Sequence, residues 1–476
     1  MELNNSAGTV QQLLSGRQRR EFIYNMSTKI VNSEKLIKQN LLSYIPSMKA
    51  NKTVYDLDWY VKKVDECESR NLIKKVVRNI PSDVLPSNMR GNIIDVTVKS
   101  KKGPDDIMYD EHEILRHHFP RGLSIMCTYI DSKETPKYDC IINACKKFSG
   151  HTLGDEDEID ISRTCTEELY FLEDKNSTNQ IVAMEKINGE AAHFACRFIN
   201  DEPHFIAGSK NVHMIFKNKH QIAQYNEQRY ENARVIADAF IDKLNSISPE
   251  QRLFLLHFLH FTKFTLVCEI MLPHHQHVVH FGSLNHNNLV VIALTPPPEE
   301  TATSFTALPS ELTLNLFNIL GFDIPLYNKL DLATIEDHMQ RTRKKSNTEG
   351  IVYYFENLQK TIGLVKIKSS WYVHLRAIRQ QATYRYLTKG QTKTLDEAKA
   401  KSHRRIKELQ KWLFTTEKEL LGWNNFSDLF FDWLEKNVPE QRFAVSEIRE
   451  NYSIILMMFL KDEKVPPSLE LQFMNC

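Results

Sequence analysis

The rhythm of apolar and polar positions changes twice along the chain. From about Thr9 to Ile80, stretches such as VQQLLSGRQRREFIYNM and NLIKKVVRNI space apolar residues three and four apart with few glycines, which predicts helix. PSDVLPSNMRGN interrupts that pattern. Between about Asn92 and Arg376 the texture becomes short β-rich runs, NIIDVTV, FTLVCEIML, NLVVIAL, EGIVYYF and IGLVKIK, separated by turns. After Arg379 the helical period returns: Thr394 and Glu397 in TLDE form a capping-box pattern opening a run through Leu421, before Gly422. WNNFSDLFFDWLEKN and SEIRENYSIILMMFLKD read as further helices, and TPPPEETATSF, Pro296 to Phe305, as a flexible loop. The expected organisation is a helical N-terminal region over 1–90, an α+β body over 91–379 and a helical C-terminal domain over 380–476.

Composition narrows the class. At 476 residues, 42% hydrophobic and 25% charged, the chain can bury the cores of two or three globular domains. Its 61 lysines and arginines balance 60 acidic residues, so nucleic-acid contact must come from local patches rather than a uniformly basic surface. Eight cysteines without a CxxC pair support neither a zinc ribbon nor a disulfide framework, and reduced thiols are the simpler expectation. MELNNSAGTV lacks a signal-peptide profile, and no run approaches the roughly 18 apolar residues of a membrane span. No membrane association is expected, and an intracellular location, cytoplasmic or nuclear, follows from that reading.

The candidate chemistry begins at IVAMEKINGEAAHFACRFI, where Lys186 ends an apolar strand and is followed by Asn188 and Gly189. A lysine amine attacks phosphorus only when deprotonated, so its reference pKa of about 10.4 must be lowered by burial or nearby cations. Gly189 would let the backbone approach a ligand. Alone, a KxNG element is common by chance. Four further elements follow it in order: Gly208, Ser209 and Lys210 after a strand; Glu269 inside an apolar strand; Glu349 and Gly350 in SNTEGIVYYF; and Lys366 and Lys368 in GLVKIKSSWYV.

This ordered set resembles the covalent nucleotidyltransferase superfamily of ligases and capping enzymes, with its KxDG nucleophile, strand glutamate, EGxV and final KxK. VKIKSSWYV is similar to the phage-type RNA ligase 1 family in particular. HHFPRGLSI, with Arg121, and CKKFSGHTLGDE, with Lys147 (or Lys146 in exchange), resemble that family's upstream elements. The resemblance covers about Phe119 to Arg376. It implies a nucleotidyltransferase (ATP-grasp-like ligase) core of antiparallel sheet, flanked by a helical N-terminal region and an all-α C-terminal domain. It also implies an ATP-dependent RNA ligase: Lys186 takes AMP from ATP, passes it to an RNA 5′-phosphate, and a 3′-hydroxyl then displaces it, in RNA or transfer-RNA repair.

The same resemblance suggests the division of labour. Arg121, Lys147, Lys210, Lys366 and Lys368 would neutralise the phosphates, and by their charge lower the Lys186 pKa. Glu269 would bind ribose, and Glu349 a Mg2+ or Mn2+ ion. Two departures stand out: Asn188 replaces the motif's aspartate, and PHHQHVV makes the hairpin after the strand glutamate one residue longer.

Other charged groups have plainer readings. His274, His275, His277 and His280 read as solvent-exposed hairpin histidines rather than metal ligands. Arg341, Arg343, Lys344 and Lys345 form a basic run, either a solvated loop or a phosphate contact. Lys401, Arg404 and Arg405, on a helix rich in cations, are candidate RNA contacts, while Trp423, Phe426, Phe430, Phe431 and Trp433 have the spacing of core.

Capping guanylyltransferases and DNA ligases share the lysine chemistry, but both append an OB-fold where this chain is helical. No GxxxxGK[ST] loop is present, so end healing would fall to a separate kinase or phosphatase. An inactive RNA-binding relative is the reading from another functional class, and the intact Lys186, Glu349, Lys366 and Lys368 oppose it.

Overall fold

The computed structural model describes residues 57–100, 105–130, 133–152, 155, 167–298, 303–358, 360–387 and 394–473. It is an α+β fold built on three sheets. Helix α1 (Asp58–Ser69) leads into β1 (Ile73–Asn79), β2 (Met89–Val98), β3 (Leu123–Ile130) and β4 (Lys133–Asn143), a four-stranded antiparallel meander. NLIKKVVRNI, expected to be helical, is thus mostly β1: its Ile73, Val76 and Val77 pair with β2, and the two β-branched valines favour strand over an isolated helical turn. The rest of the helical expectation for Thr9 to Ile80 lies mainly outside the described residues.

After β5 (Ser149–Gly150), two five-stranded sheets are interleaved in sequence. One has the order β11-β10-β7-β8-β9, from β7 (Glu190–Ile199), β8 (Glu202–Gly208), β9 (His213–Phe216), β10 (Thr265–Met271) and β11 (Asn288–Thr295). The other has the order β12-β6-β13-β14-β5, from β6 (Gln180–Glu185), β12 (Tyr327–Leu330), β13 (Gly350–Asn357) and β14 (Lys360–Lys368). All pairings are antiparallel except the short β14–β5 contact. The chain therefore passes between the two large sheets in the four residues between β6 and β7, and those four include Lys186.

Packing follows from the strand compositions. Phe194, Cys196, Phe205 and Leu266 lie under α2 (Glu231–Ser246) and α3 (Pro249–Thr262), whose Phe240, Phe254 and Phe258 complete that core. Helix α3 opens on a Ser248/Gln251 capping box with Pro249 in its first turn. On the other large sheet, Ile181, Ala183, Tyr353 and Val365 pack against Ile335 and Met339 of α5 (Ile335–Arg343). Val182, Met184, Val352 and Tyr354 face Leu314 of α4 (Ser310–Ile319) and Phe305. Both sheets are buried on two faces, which is why their strands read as near-continuous apolar runs.

The C-terminal part is helical: α6 (Ser370–Leu387), α7 (Leu395–Leu413), α8 (Glu417–Asn437) and α9 (Tyr452–Asp462). The Thr394/Glu397 capping box is formed. The run expected to continue through Leu421 instead breaks at Phe414, a left-handed residue, and α8 restarts on a second box from Thr416 and Glu419. SEIRENYSIILMMFLKD likewise divides, with a short helix Glu447–Glu450 ahead of α9. Trp423, Phe426, Phe430, Phe431 and Trp433 are buried core of this bundle. Among the described residues no helix is long and apolar enough to cross a membrane.

Candidate nucleotidyl-transfer site

Lys186 sits in the β6–β7 crossover, its backbone N–H held by the carbonyl of Gly350 at 2.9 Å. Its Nζ lies 2.9 Å from Glu349 Oε1, with the lysine side chain 21% exposed and the glutamate 5%. Lys368 Nζ is 3.9 Å from the same oxygen. The nucleophile candidate, the EGxV glutamate and the last lysine of KxK, far apart in sequence, therefore form one charged cluster. Lys368 also lies 5.8 Å from the Tyr372 ring centre, and Lys366 5.9 Å from that of Phe148.

A cleft opens beside this cluster. Arg121, Lys146, Lys147, Lys186, Lys210 and Lys366 line it together with Glu185, Glu269 and the apolar Phe148, Val267, Val352 and Tyr354. Six cations converge on one cleft in a chain of net charge +1. Arg121 and Lys210 also border a neighbouring cleft lined by Lys74, Arg229 and Gly122.

Three expected features of the site come out differently. The cations do not act on Lys186 as anticipated. Burial alone would lower its pKa, but the carboxylates of Glu349 and Glu269 outweigh burial and hold it above the ordinary lysine value. Arg121 and Lys210 pair instead with Asp105, and Lys147 with Asp106. Those two acids carry no motif, so sequence reasoning missed them.

Gly189 does not line the cleft. A Cβ there would stand 2.6 Å from the carbonyl oxygen of Ile270, so this glycine serves the close approach of the crossover to β10.

Arg343 is neither a solvated loop residue nor exposed for phosphate. It is 8% exposed, binds Asp155 through both amino groups and donates to the Lys368 carbonyl. Its neighbours Arg341, Lys344 and Lys345 are exposed.

Glu269 projects from β10 into the cleft. Burial pushes its carboxyl up to about 7, against the opposing pull of Lys186. A carboxyl near half-protonation at neutral pH can both donate to and accept from a hydroxyl. Lys146 has its amine pushed down to about 8 by burial.

Asn188 is a strut. Its Nδ2 donates to Glu349 Oε2 at 2.8 Å and to the Tyr372 hydroxyl at 3.2 Å, while its Oδ1 accepts from the backbone N–H groups of Val278 and Val279. Only an amide offers both functions there.

The histidine segment is not a solvent-exposed hairpin. His274 is exposed, but His275, His277 and His280 are half-buried, and His275 and His277 gather on Glu190. On α7, Lys401 and Arg404 are exposed, whereas Arg405 pairs with Glu408 at 3.2 Å. Lys399 and His403 of the same helix tie to Asp432 and Asp428 of α8.

A family described as "Domain of unknown function (DUF7920)" matches residues 87–379. No curated protein matches the sequence significantly. Among solved structures, two forms of an archaeal ATP-dependent RNA ligase are similar. Form 2 shows 11% identity over 79% of this chain and 80% of that one, TM-score 0.42. Form 1 shows 12% identity over 79% and 81%, TM-score 0.43. A Naegleria gruberi RNA ligase mutant with ATP and Mn covers 64% of this chain and 98% of its own, at 10% identity and TM-score 0.26.

Proposed function

The chain belongs to the DUF7920 family, whose description carries no function, and from that premise we propose that it is an ATP-dependent RNA ligase working through a lysyl-AMP at Lys186. The observation that carries the reading is the convergence of Lys186, Glu349 and Lys368 beside a cleft lined by Arg121, Lys147, Lys210, Glu269 and Lys366. A solvated lysine would not stand at a sheet crossover with its ammonium on a buried glutamate.

Each group has a role in the proposed chemistry. The Lys186 amine attacks the α-phosphorus of ATP; a P–N bond forms, the P–O bond to the β-phosphate breaks, and pyrophosphate leaves. An RNA 5′-phosphate oxygen then takes the AMP, freeing Lys186, and a 3′-hydroxyl displaces AMP to close the phosphodiester. Lys366, Lys368, Lys210, Arg121 and Lys147 offset the phosphate charge. Glu269, half-protonated, suits the ribose hydroxyls. Glu349 is a hard oxygen donor of the kind that, with phosphate oxygens and water, holds Mg2+ or Mn2+, and such an ion would neutralise charge at the reacting phosphorus. Before the amine can attack it must lose its proton, so the Glu349 carboxylate that holds the ammonium must be engaged elsewhere in the reacting state.

The exposed Lys401 and Arg404 of α7 are assigned to RNA contact in this reading, with Arg405 beside them partly engaged by Glu408. Substrate ends are a 5′-phosphate and a 3′-hydroxyl, and end healing is left to a separate enzyme.

The test is direct. Purified protein incubated with divalent metal and ATP labelled at the α-phosphate keeps the label through denaturation, and Lys186→Ala does not. No labelling by ATP or GTP sinks the nucleotidyltransferase reading, and labelling by GTP alone turns it to capping. Sealing of a nicked RNA but not a matched DNA separates RNA from DNA ligase.

A further inference from the structure

The half-buried histidine segment carries chemistry that nucleotidyl transfer does not use. Glu190, the first residue of β7, accepts from His277 Nε2 at 2.9 Å, and His275 Nε2 lies 3.9 Å from the same Oε1. The two imidazole rings are tilted, with centres 4.8 Å apart. One ligand atom from each residue lies within 4.8 Å of the others. Zinc bonds of about 2.0–2.1 Å place tetrahedral donors about 3.3 Å apart, so the Glu190–His277 pair must open slightly and the His275 ring must draw in, both by side-chain rotation.

The frame around these three groups is stiff. Gln276, between the two histidines, is 3% exposed and receives the Ser453 hydroxyl at 3.1 Å, while its own amide donates to the Pro273 carbonyl. Val278 and Val279 hold Asn188 through their N–H groups. Three donors from two separate segments are thus presented by fixed backbone, while their side chains stay 21–39% exposed and open to an entering ion.

We propose that Glu190, His275 and His277 form a binding site for a zinc-class divalent transition metal, with water in the remaining position. Two imidazoles and one carboxylate select against Mg2+ and Ca2+, which want oxygen donors, and favour the nitrogen-binding ions of the later first row. On binding, the proton that His277 Nε2 shares with Glu190 moves to Nδ1, leaving Nε2 as the ligand. The occupied site would pin the 275–279 segment to the start of β7 and stiffen the strut that Asn188 makes to Glu349. It is independent of whether Lys186 takes AMP.

The experiment titrates reduced, metal-free full-length protein with Zn2+ against a chromophoric chelator, and records the Co2+ spectrum. The expected result is one equivalent that His277→Ala and Glu190→Gln each weaken by at least about tenfold, with visible Co2+ d–d bands and no thiolate charge-transfer band. His275→Ala, which removes only the longer contact, serves if the His277 variant does not fold, as judged by circular dichroism. A Zn2+-induced rise in Tm should disappear in the same variants. Absence of any tightly bound equivalent in the wild type, binding unchanged in the variants, or a thiolate band in the Co2+ spectrum overturns the proposal.

Discussion

Asn188 Nδ2 donates to Glu349 Oε2 at 2.8 Å while Lys186 Nζ holds Oε1 of the same carboxylate at 2.9 Å. The motif asparagine therefore works on the glutamate, not beside the lysine as a weakened aspartate. An aspartate here would set one carboxylate against another and offer no proton to Glu349 or to the Tyr372 hydroxyl, though its other oxygen would still accept from the Val278 and Val279 N–H groups.

Asn188→Asp should consequently cost stability in metal-free buffer, by about 1–3 kcal/mol from the lost donor and like-charge contact. The deficit should shrink on adding Mn2+ or Mg2+, because two facing carboxylates recruit a divalent ion. Melting curves with and without metal check both halves. A variant as stable as wild type in chelator would show that the amide is not needed as a donor.

Arg343 makes the contrast between a basic run and a basic residue. Arg343→Met leaves Asp155 buried beside the Lys368 N–H without its counter-ion, which should destabilise the fold by about 3–5 kcal/mol. Lys344→Ala and Lys345→Ala, both at exposed positions, should change stability by less than about 0.5 kcal/mol. Denaturant unfolding of the three variants separates these outcomes.

Much of this was legible in the sequence, for a stated reason. Lys186, Glu269, Glu349, Lys366 and Lys368 each sit in or at the end of an apolar strand, and a charge in such a run is rare enough to announce itself. Local patterns with a fixed offset were equally clear, as in the Thr394/Glu397 box. The Thr416/Glu419 box was present as well, but a continuous helical period hid the break at Phe414. What stayed hidden depends on contacts between distant segments: Asp105 and Asp106 on the cleft cations, Asp155 on Arg343, and Ile270 against Gly189. The β1 strand failed differently. Its spacing of Ile73, Val76 and Val77 fits a helix as well as a strand, and pairing with β2 decided between them.

Glu269 gives the pH test. A carboxyl whose folded-state pKa is raised binds its proton more tightly in the fold than in the unfolded chain. Its stabilising contribution is complete below the ordinary value of 4.5 and is lost as pH rises through about 7. Glu269→Gln fixes the neutral form, so the variant should gain on wild type between pH 5 and pH 8, by about 2 kcal/mol. Paired Tm measurements across that range, without nucleotide, read the difference. Curves that stay parallel would mean that Lys186 cancels the burial cost.

Gly350 is required by its backbone. Its φ is +146°, and a Cβ would run into the Ile367 carbonyl of β14. Gly350→Ala must therefore strain the turn or part β13 from β14 where Glu349, Lys366 and Lys368 are aligned. A loss of at least about 2 kcal/mol is expected, with nucleotide labelling of Lys186 lost in the fraction that still folds. Circular dichroism and labelling on the same sample distinguish an unfolded chain from a displaced glutamate.

The state of Lys186 can be read without any nucleotide. Burial favours the neutral amine, and the carboxylates of Glu349 and Glu269 reverse that preference, so the resting protein holds an ammonium at neutral pH. Glu349→Gln removes the nearer anion and leaves burial, which disfavours the charge, opposed by Glu269. The amine pKa should fall, and each unit of fall multiplies the neutral fraction at pH 8 by about ten. An amine-acylating reagent, followed by peptide mapping, should therefore modify Lys186 faster in Glu349→Gln than in wild type, while lysyl-AMP formation is lost. Opposite signs for reagent and ATP identify Glu349 as both the restraint on the resting lysine and part of the reacting site. Slower acylation in the variant would mean that some other group sets the Lys186 charge.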